Sequence, residues 1–213
     1  MAMNCYRQGE HICALYDSEE EQLATAAEYL IDGIRSGARV LYVAEDAAAL
    51  ARFHDVLDRR RVSVPSVLRR GALVESTHAE AHLALGYFDS ERMLRMLNEA
   101  VEAALHDGFS GLRTCGDMSW LLQEPAGAEQ VVEYEAFLNS FFDGVCGSGM
   151  CQYDRRRLPA HLIDTALATH SSAVVDRVHK TNPFYRPASI ALSRSGQTAD
   201  VNWKVNQLRQ RTP

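Results

Sequence analysis

No apolar run in the 213 residues approaches the length of a membrane span, and the opening MAMNCYRQGE lacks the apolar core of a secretion signal. The expectation is a cytoplasmic protein with no membrane contact. Five cysteines are present (Cys5, Cys13, Cys115, Cys146 and Cys151), but no Cys-x-x-Cys pair. That argues against a zinc ribbon and a disulfide scaffold and for reduced, mostly buried thiols. Excess positive charge is also missing. The formal net charge is -6 and the pI is near 5.7, which speaks against a general nucleic-acid binder. There is no Gly-x-Ser-x-Gly and no His-Glu-x-x-His, so no hydrolase or zinc-protease signature. Ser171 and Ser172 follow His170, but sequence adjacency is not a catalytic geometry. Internal repeats and low-complexity segments are absent. The expectation is a protein that is not an enzyme and carries no cofactor.

What is present is one sizeable α/β domain: 46% of the residues are hydrophobic, enough for a real core. His11 to Tyr16 reads as a strand. Ser18 and Glu21 form a capping box, and Leu23, Ala26, Ala27, Leu30 and Ile34 recur at helical spacing up to Gly37. Arg39 to Asp46 is a continuous apolar run ending in acids, as a buried parallel strand does. A second helix is marked by Leu50, Phe53, Val56 and Leu57, and a third strand by Ala72 to Ser76. Met93 to Leu105 gives the cleanest amphipathic helix, closed by Asp107-Gly108. Gly111 to Trp120 is read as a fourth strand running into polar residues, followed by a helix through Val131, Leu138 and Phe142. Gly149 to Asp154 is a fifth strand. Pro159 opens a helix that ends near His170, and Ala173 to His179 is a last strand.

Strands alternating with helices predict a doubly wound, mostly parallel sheet with helices on both faces. The boundaries are 9–187 for the domain and 188–213 for a linker-like tail, in which Val201, Val205 and Leu208 line one side of a short helix. That face suits docking on the body, self-association as a homodimer, or contact with a partner.

Ligands of open parallel sheets sit beyond the carboxyl ends of the strands. This nominates Tyr16 to Glu19, Glu45 and Asp46, Asp117 to Trp120, and Tyr153 to Arg156. The first strand–helix junction, YDSEEE, has neither the glycines nor the lysine of a phosphate loop; three glutamates stand there instead. They repel a triphosphate and favour the helix N-terminus.

GEHICALYDSEEE, GARVLYVAED, GYFDSERM, GLRTCGDMSW, YEAFLN, CQYDRRRL and THSSAVV…NPFY, in that order, resemble the MEDS (methanogen/methylotroph, DcmR-type) sensory domain family from about Gly9 to Pro187. The resemblance implies a RecA/KaiC-like fold with a degenerate phosphate loop. It further implies sensing of a small, hydrocarbon-like molecule and a regulatory protein partner of DNA-binding, histidine-kinase or anti-sigma type. Asp117 stands where the family usually has Glu, and neither a helix-turn-helix nor a kinase motif is read in the chain, so direct repression is not expected.

The candidate ligand-binding residues are His11, Tyr16, Asp117, Trp120, Tyr153 and His170. His11 and Cys13 alternate onto one face of the first strand, but no supporting ligands are visible nearby, so no metal site is assigned. As structural roles, His11 is a core histidine, Asp117 a cap, Trp120 core packing, and both tyrosines half-buried hydroxyls. His78 and His82, four residues apart, are read as surface histidines. Asn182 to Tyr185 is a Pro-fixed turn that packs the chain end against the sheet. Two rivals stand beside the sensor: a residual nucleotide-binding protein using Asp117 and a metal, and a ligand-free adaptor or dimerisation module.

Overall fold

A computed structural model describes residues 6–187; the tail from 188 onward, with its expected helix, lies outside the described residues. A seven-stranded sheet has the order β3-β2-β4-β5-β1-β6-β7. Its strands are β1 (His11–Tyr16), β2 (Arg39–Ala44), β3 (Leu73–Thr77), β4 (Leu112–Asp117), β5 (Gly147–Asp154), β6 (Ser172–Val175) and β7 (Val178–Thr181). All pairings are parallel except β6 with β7. The helices are α1 (Glu19–Arg35), α2 (Ala47–Arg59), α3 (Val64–Arg69), α4 (Ser90–His106), α5 (Val131–Gly144) and α6 (Ala160–Thr169).

The connections decide which face each helix covers. From β1 to β3 the chain moves toward one edge of the sheet, and from β3 to β6 it moves back toward the other. Right-handed crossovers then place the two sets of helices on opposite faces. The cores agree. Ile12, Ala14, Val40, Tyr42 and Met150 pack with α1, α2 and α3. Cys13, Leu15, Cys151 and Tyr153 pack with α5 and α6 on the other face, where Leu41 and Val43 meet α4.

The first junction is built by capping. Ser18 Oγ accepts from Glu21 N–H at 3.1 Å, and the Glu21 carboxylate accepts from Asp17 N–H at 2.9 Å. Glu19, Glu20 and Glu21 then sit at the positive end of the helix dipole. Gly149 lets α5 approach the sheet: a Cβ there would collide with the Phe142 ring.

Three local expectations need correction. The single last strand, Ala173 to His179, is a hairpin. Asp176 and Arg177 take positive φ of 53° and 60°, the geometry of a two-residue turn whose twist matches the strands. The sequence hides it because the usual Asn-Gly is absent. The short helix α3 was not expected; Pro65 at its start presets the first turn. His78 and His82 are not surface residues but 2% and 5% exposed. Turns following β3 fold them over β4, where they meet at 5.6 Å.

Candidate functional site

At the carboxyl edge the polar residues are tied to one another. Asp154 ends β5 and is buried. Its carboxylate accepts from Arg156 Nε at 3.0 Å, Nη2 at 2.7 Å and the backbone N–H at 2.9 Å. Burial raises the Asp154 pKa, but the Arg156 bonds outweigh it and hold the carboxyl below its ordinary value. Arg155 reaches back to Asp17 at 2.9 Å, and Arg157 reaches Glu45 at 3.6 Å. Three consecutive arginines thus link the ends of β5, β1 and β2. Asp117, at the end of β4, accepts from Ser119 N–H at 2.9 Å and Oγ at 3.1 Å. These bonds tie the end of β4 to the first residue of the 3-10 turn Ser119–Gln123, whose N-cap is Met118. Burial raises the Asp117 pKa against those bonds and the nearby His78. Tyr16 lies among Asp117 and Asp154, and its phenol is raised by burial and by both carboxylates.

The candidate residues fall into separate groups. In the pairing of β1 with β5, Tyr16 faces Asp154 and Leu15 faces Tyr153. With period-two alternation, Tyr16 and Tyr153 lie on opposite faces of the sheet, so their hydroxyls do not converge. Trp120 is fully buried and stacks between Phe88 at 4.6 Å and His82 at 5.2 Å. Asp117 and Trp120 are near in sequence, but the first is bound to Ser119 and the second is in the core.

His11 and His170 do come together, with two residues the sequence reading did not single out. His11 (β1), Glu135 (α5), Cys151 (β5) and His170 (the cap of α6) are all buried, and one ligand-type atom from each lies within 4.8 Å of every other. Glu135 Oε2 is 3.2 Å from His11 Nε2 and 3.2 Å from His170 Nε2. Cys151 Sγ is 3.7 Å from His11 Nε2. The Tyr153 ring meets His170 edge-on at 5.8 Å. Cys13 is beside the group but not in it. Burial, with Glu135, pushes its thiol up to about 12.

The electrostatics follow from the burial. Desolvation, then His170, push the His11 imidazole down to about 4, against the pull of Glu135. Burial opposes the Glu135 charge, but His170 and His11 together hold the carboxyl below its usual range. The Cys151 thiol is raised by burial and then by Glu135. Two imidazoles, a carboxylate and a thiol converging in a dry space form a donor set for a borderline transition metal.

A signal for Glu135 was available. It sits on the apolar stripe of α5 with Val131, Leu138 and Phe142, and a carboxylate on such a stripe needs a partner. For Cys151 the signal was alternation with Tyr153 on one strand face.

On the same face lies a partly open cavity of about 40 Å³ between β2, β4, β5 and α4–α5. Leu41, Val43, His82, Met93, Leu97, Tyr134 and Cys151 line it. Cys151 therefore belongs both to the cavity wall and to the donor group.

Residues 10–171 match the family model described as MEDS, the methanogen/methylotroph, DcmR sensory domain. The transcriptional repressor DcmR of Methylorubrum extorquens is 26% identical over 162 residues, covering 76% of this chain and 58% of that protein. The chain thus matches a little over half the length of that repressor. Two solved structures share the fold. A KaiC-like protein from Pyrococcus horikoshii OT3 has a TM-score of 0.55 at 11% identity, covering 79% of this chain and 71% of its own. The flagellar accessory protein FlaH from Methanocaldococcus jannaschii has a TM-score of 0.55 at 14% identity, covering 81% and 75%. The expected RecA/KaiC-like architecture is the observed one. Among the described residues no helix is long and apolar enough to cross a membrane.

Proposed function

We propose, starting from the fact that the chain belongs to the MEDS family of sensory domains, that it binds a small apolar molecule beneath α4 and α5 and reports occupancy to a regulatory protein partner. The observation that carries this reading is the cavity between those helices and the sheet. Its volume of about 40 Å³ exceeds the roughly 10–15 Å³ that one water needs, so the space suits a ligand of only a few non-hydrogen atoms. Leucine, valine and methionine side chains make half of its wall, and His82, Thr114, Cys115, Tyr134 and Cys151 are the residues on it with polar or soft atoms. Such a site suits a hydrocarbon-like ligand with one weak hydrogen-bonding or soft atom.

The signal travels through packing. Met93 and Leu97 belong to α4, and Tyr134 and Leu138 to α5. A ligand that fills the space between those helices and the sheet favours one of their arrangements over another, by the difference in its affinity for the two. DcmR is a transcriptional repressor, so a DNA-binding protein is the partner class this reading puts first, ahead of a kinase or anti-sigma factor. The acidic balance of the chain fits contact with that protein rather than with DNA itself.

The same reading makes the chain a sensor and not a nucleotide hydrolase. The β1–α1 junction offers glutamates where phosphates need donors, Asp117 is committed to Ser119, and ion pairs occupy the carboxyl edge.

Native mass spectrometry of the full chain, before and after adding one- to three-carbon halocarbons, alcohols and amines, tests the proposal. A small apolar mass, carried on purification or taken up from that panel and lost on denaturation, is the expected result. A bound nucleotide overturns the reading in favour of a residual nucleotide-binding protein. A dimer that takes up none of the panel overturns it in favour of an adaptor.

A further inference from the structure

We infer that His11, Glu135, Cys151 and His170 form a binding site for one divalent first-row transition-metal ion of the zinc, cobalt or ferrous class. The inference goes beyond small-molecule sensing and does not depend on it.

The orientation of His170 comes first. Its Nδ1 lies 2.8 Å from the carbonyl oxygen of Ala166. A carbonyl only accepts, so Nδ1 carries a proton and Nε2 is the ring atom turned inward. That atom faces Glu135 Oε2 at 3.2 Å. That contact needs a cation between the two atoms, either a proton on Nε2 or a metal ion. A histidine fixed through Nδ1–H to a backbone carbonyl, with Nε2 turned inward, is the usual outer-shell arrangement of a metal-binding imidazole.

Hydrogen bonds do not account for the group. Both Glu135 oxygens and His170 Nε2 are buried with no hydrogen-bond partner, although Oε2 is within 3.2 Å of both imidazoles. The atoms stand at ion-pair distance without well-directed hydrogen bonds. An unpaired buried carboxylate costs several kcal/mol, and both histidines cannot readily share the task of neutralising it, since each disfavours the other's charge. One ion at the common point satisfies all four groups.

The spacings fit. A tetrahedral ion with bonds of about 2.0–2.3 Å to nitrogen, oxygen and sulfur has ligand–ligand edges of roughly 3.3–3.7 Å. Three edges here measure 3.2, 3.2 and 3.7 Å, and the remaining ones lie within 4.8 Å. The ligands come from two paired strands, a helix packed on them and the end of another helix, so the sheet holds them in place. The donor types exclude magnesium and calcium, which prefer all-oxygen shells. Binding releases the Cys151 proton to solvent, and the ion carries the resulting thiolate. Because the group is buried, the metal must enter as the chain folds.

The test is cobalt. The full chain is produced in cobalt-supplemented minimal medium, so that metal is present during folding, and its metal content and absorption spectrum are recorded. Roughly one equivalent per chain is expected, with a thiolate-to-cobalt charge-transfer band in the near ultraviolet. Cys151→Ser removes that band, and Glu135→Gln lowers metal affinity about 10-fold or more. Cys146→Ser, at an exposed cysteine, leaves both unchanged. Substoichiometric metal in a wild-type chain with native circular dichroism overturns the inference. So does a charge-transfer band that survives in Cys151→Ser, which places the ion elsewhere. Should Glu135→Gln not fold, the band in folded wild-type protein against Cys151→Ser still decides.

Discussion

The Nδ1 atom of His170 donates to the Ala166 carbonyl at 2.8 Å, and this turns Nε2 toward Glu135 Oε2, 3.2 Å away. A residue at the end of α6 is thereby fixed against the middle of α5. The position of His170 depends in turn on Asn182, whose Nδ2 donates to the carbonyls of Leu167 and His170, each at 2.7 Å.

Asn182→Ala removes both of those bonds at a buried position. A loss of about 1–3 kcal/mol is expected from the unpaired carbonyls. Urea unfolding measures it. Because His170 is loosened, bound cobalt should also weaken; a stability loss with unchanged metal affinity would show that Asn182 does not position His170.

Trp120→Ala should destabilise the fold by roughly 3–5 kcal/mol, since the indole is fully buried between Phe88 and His82. Melting should fall by about 10 °C. A change of a degree or two would mean that the indole is not core packing.

MgATP should not bind. A site with Kd about 10 µM would add about 2.7 kcal/mol of stability at roughly 1 mM nucleotide. The melting temperature is expected to stay flat instead, because the glutamates after β1 repel phosphate and the arginines of the carboxyl edge are paired with Asp17, Asp154 and Glu45.

Acid should destabilise the protein in part through His82. Burial, then His78, lower its pKa from 6.5 to about 3, with Arg92 acting the same way and Glu135 opposing. The unfolded chain takes up the proton near pH 6.5 and the folded chain resists it. The stabilisation is therefore whole above that pH and is lost as pH falls toward about 3. The loss is up to about 1.4 kcal/mol per pH unit. His82→Phe keeps a ring against Trp120 and should flatten the dependence. Urea midpoints at about pH 7 and about pH 5 compare the two chains; equal slopes would contradict this.

Much of the fold was legible in local patterns. The apolar run of β1, the Ser18–Glu21 box and the helical spacing of α1 agree with one another, and agreement across levels is what a funnelled sequence shows. The hairpin of β6 and β7 was hidden because Asp176 and Arg177 turn without a glycine. The burial of His78 and His82 depends on turns that fold over β4, which no local pattern encodes. The site was half legible. His11 and His170 stood out, but Cys151 meets His11 across 140 residues, and Glu135 finds its partners only when α5 lands on the sheet. Tyr16 ends β1 and Tyr153 is the last residue but one of β5, yet which face each takes is set by register, and register is a tertiary fact.

The central claim is that the space beneath α4 and α5 holds a small apolar ligand, and the most direct measurement is melting temperature against concentration for one- to three-carbon halocarbons, alcohols and amines. Wild type is compared with Leu97→Phe, which fills the cavity. The account predicts a saturable rise in wild type with at least one compound, lost in a Leu97→Phe chain that keeps its fold. No rise with any compound, or an equal rise in both chains, would contradict it.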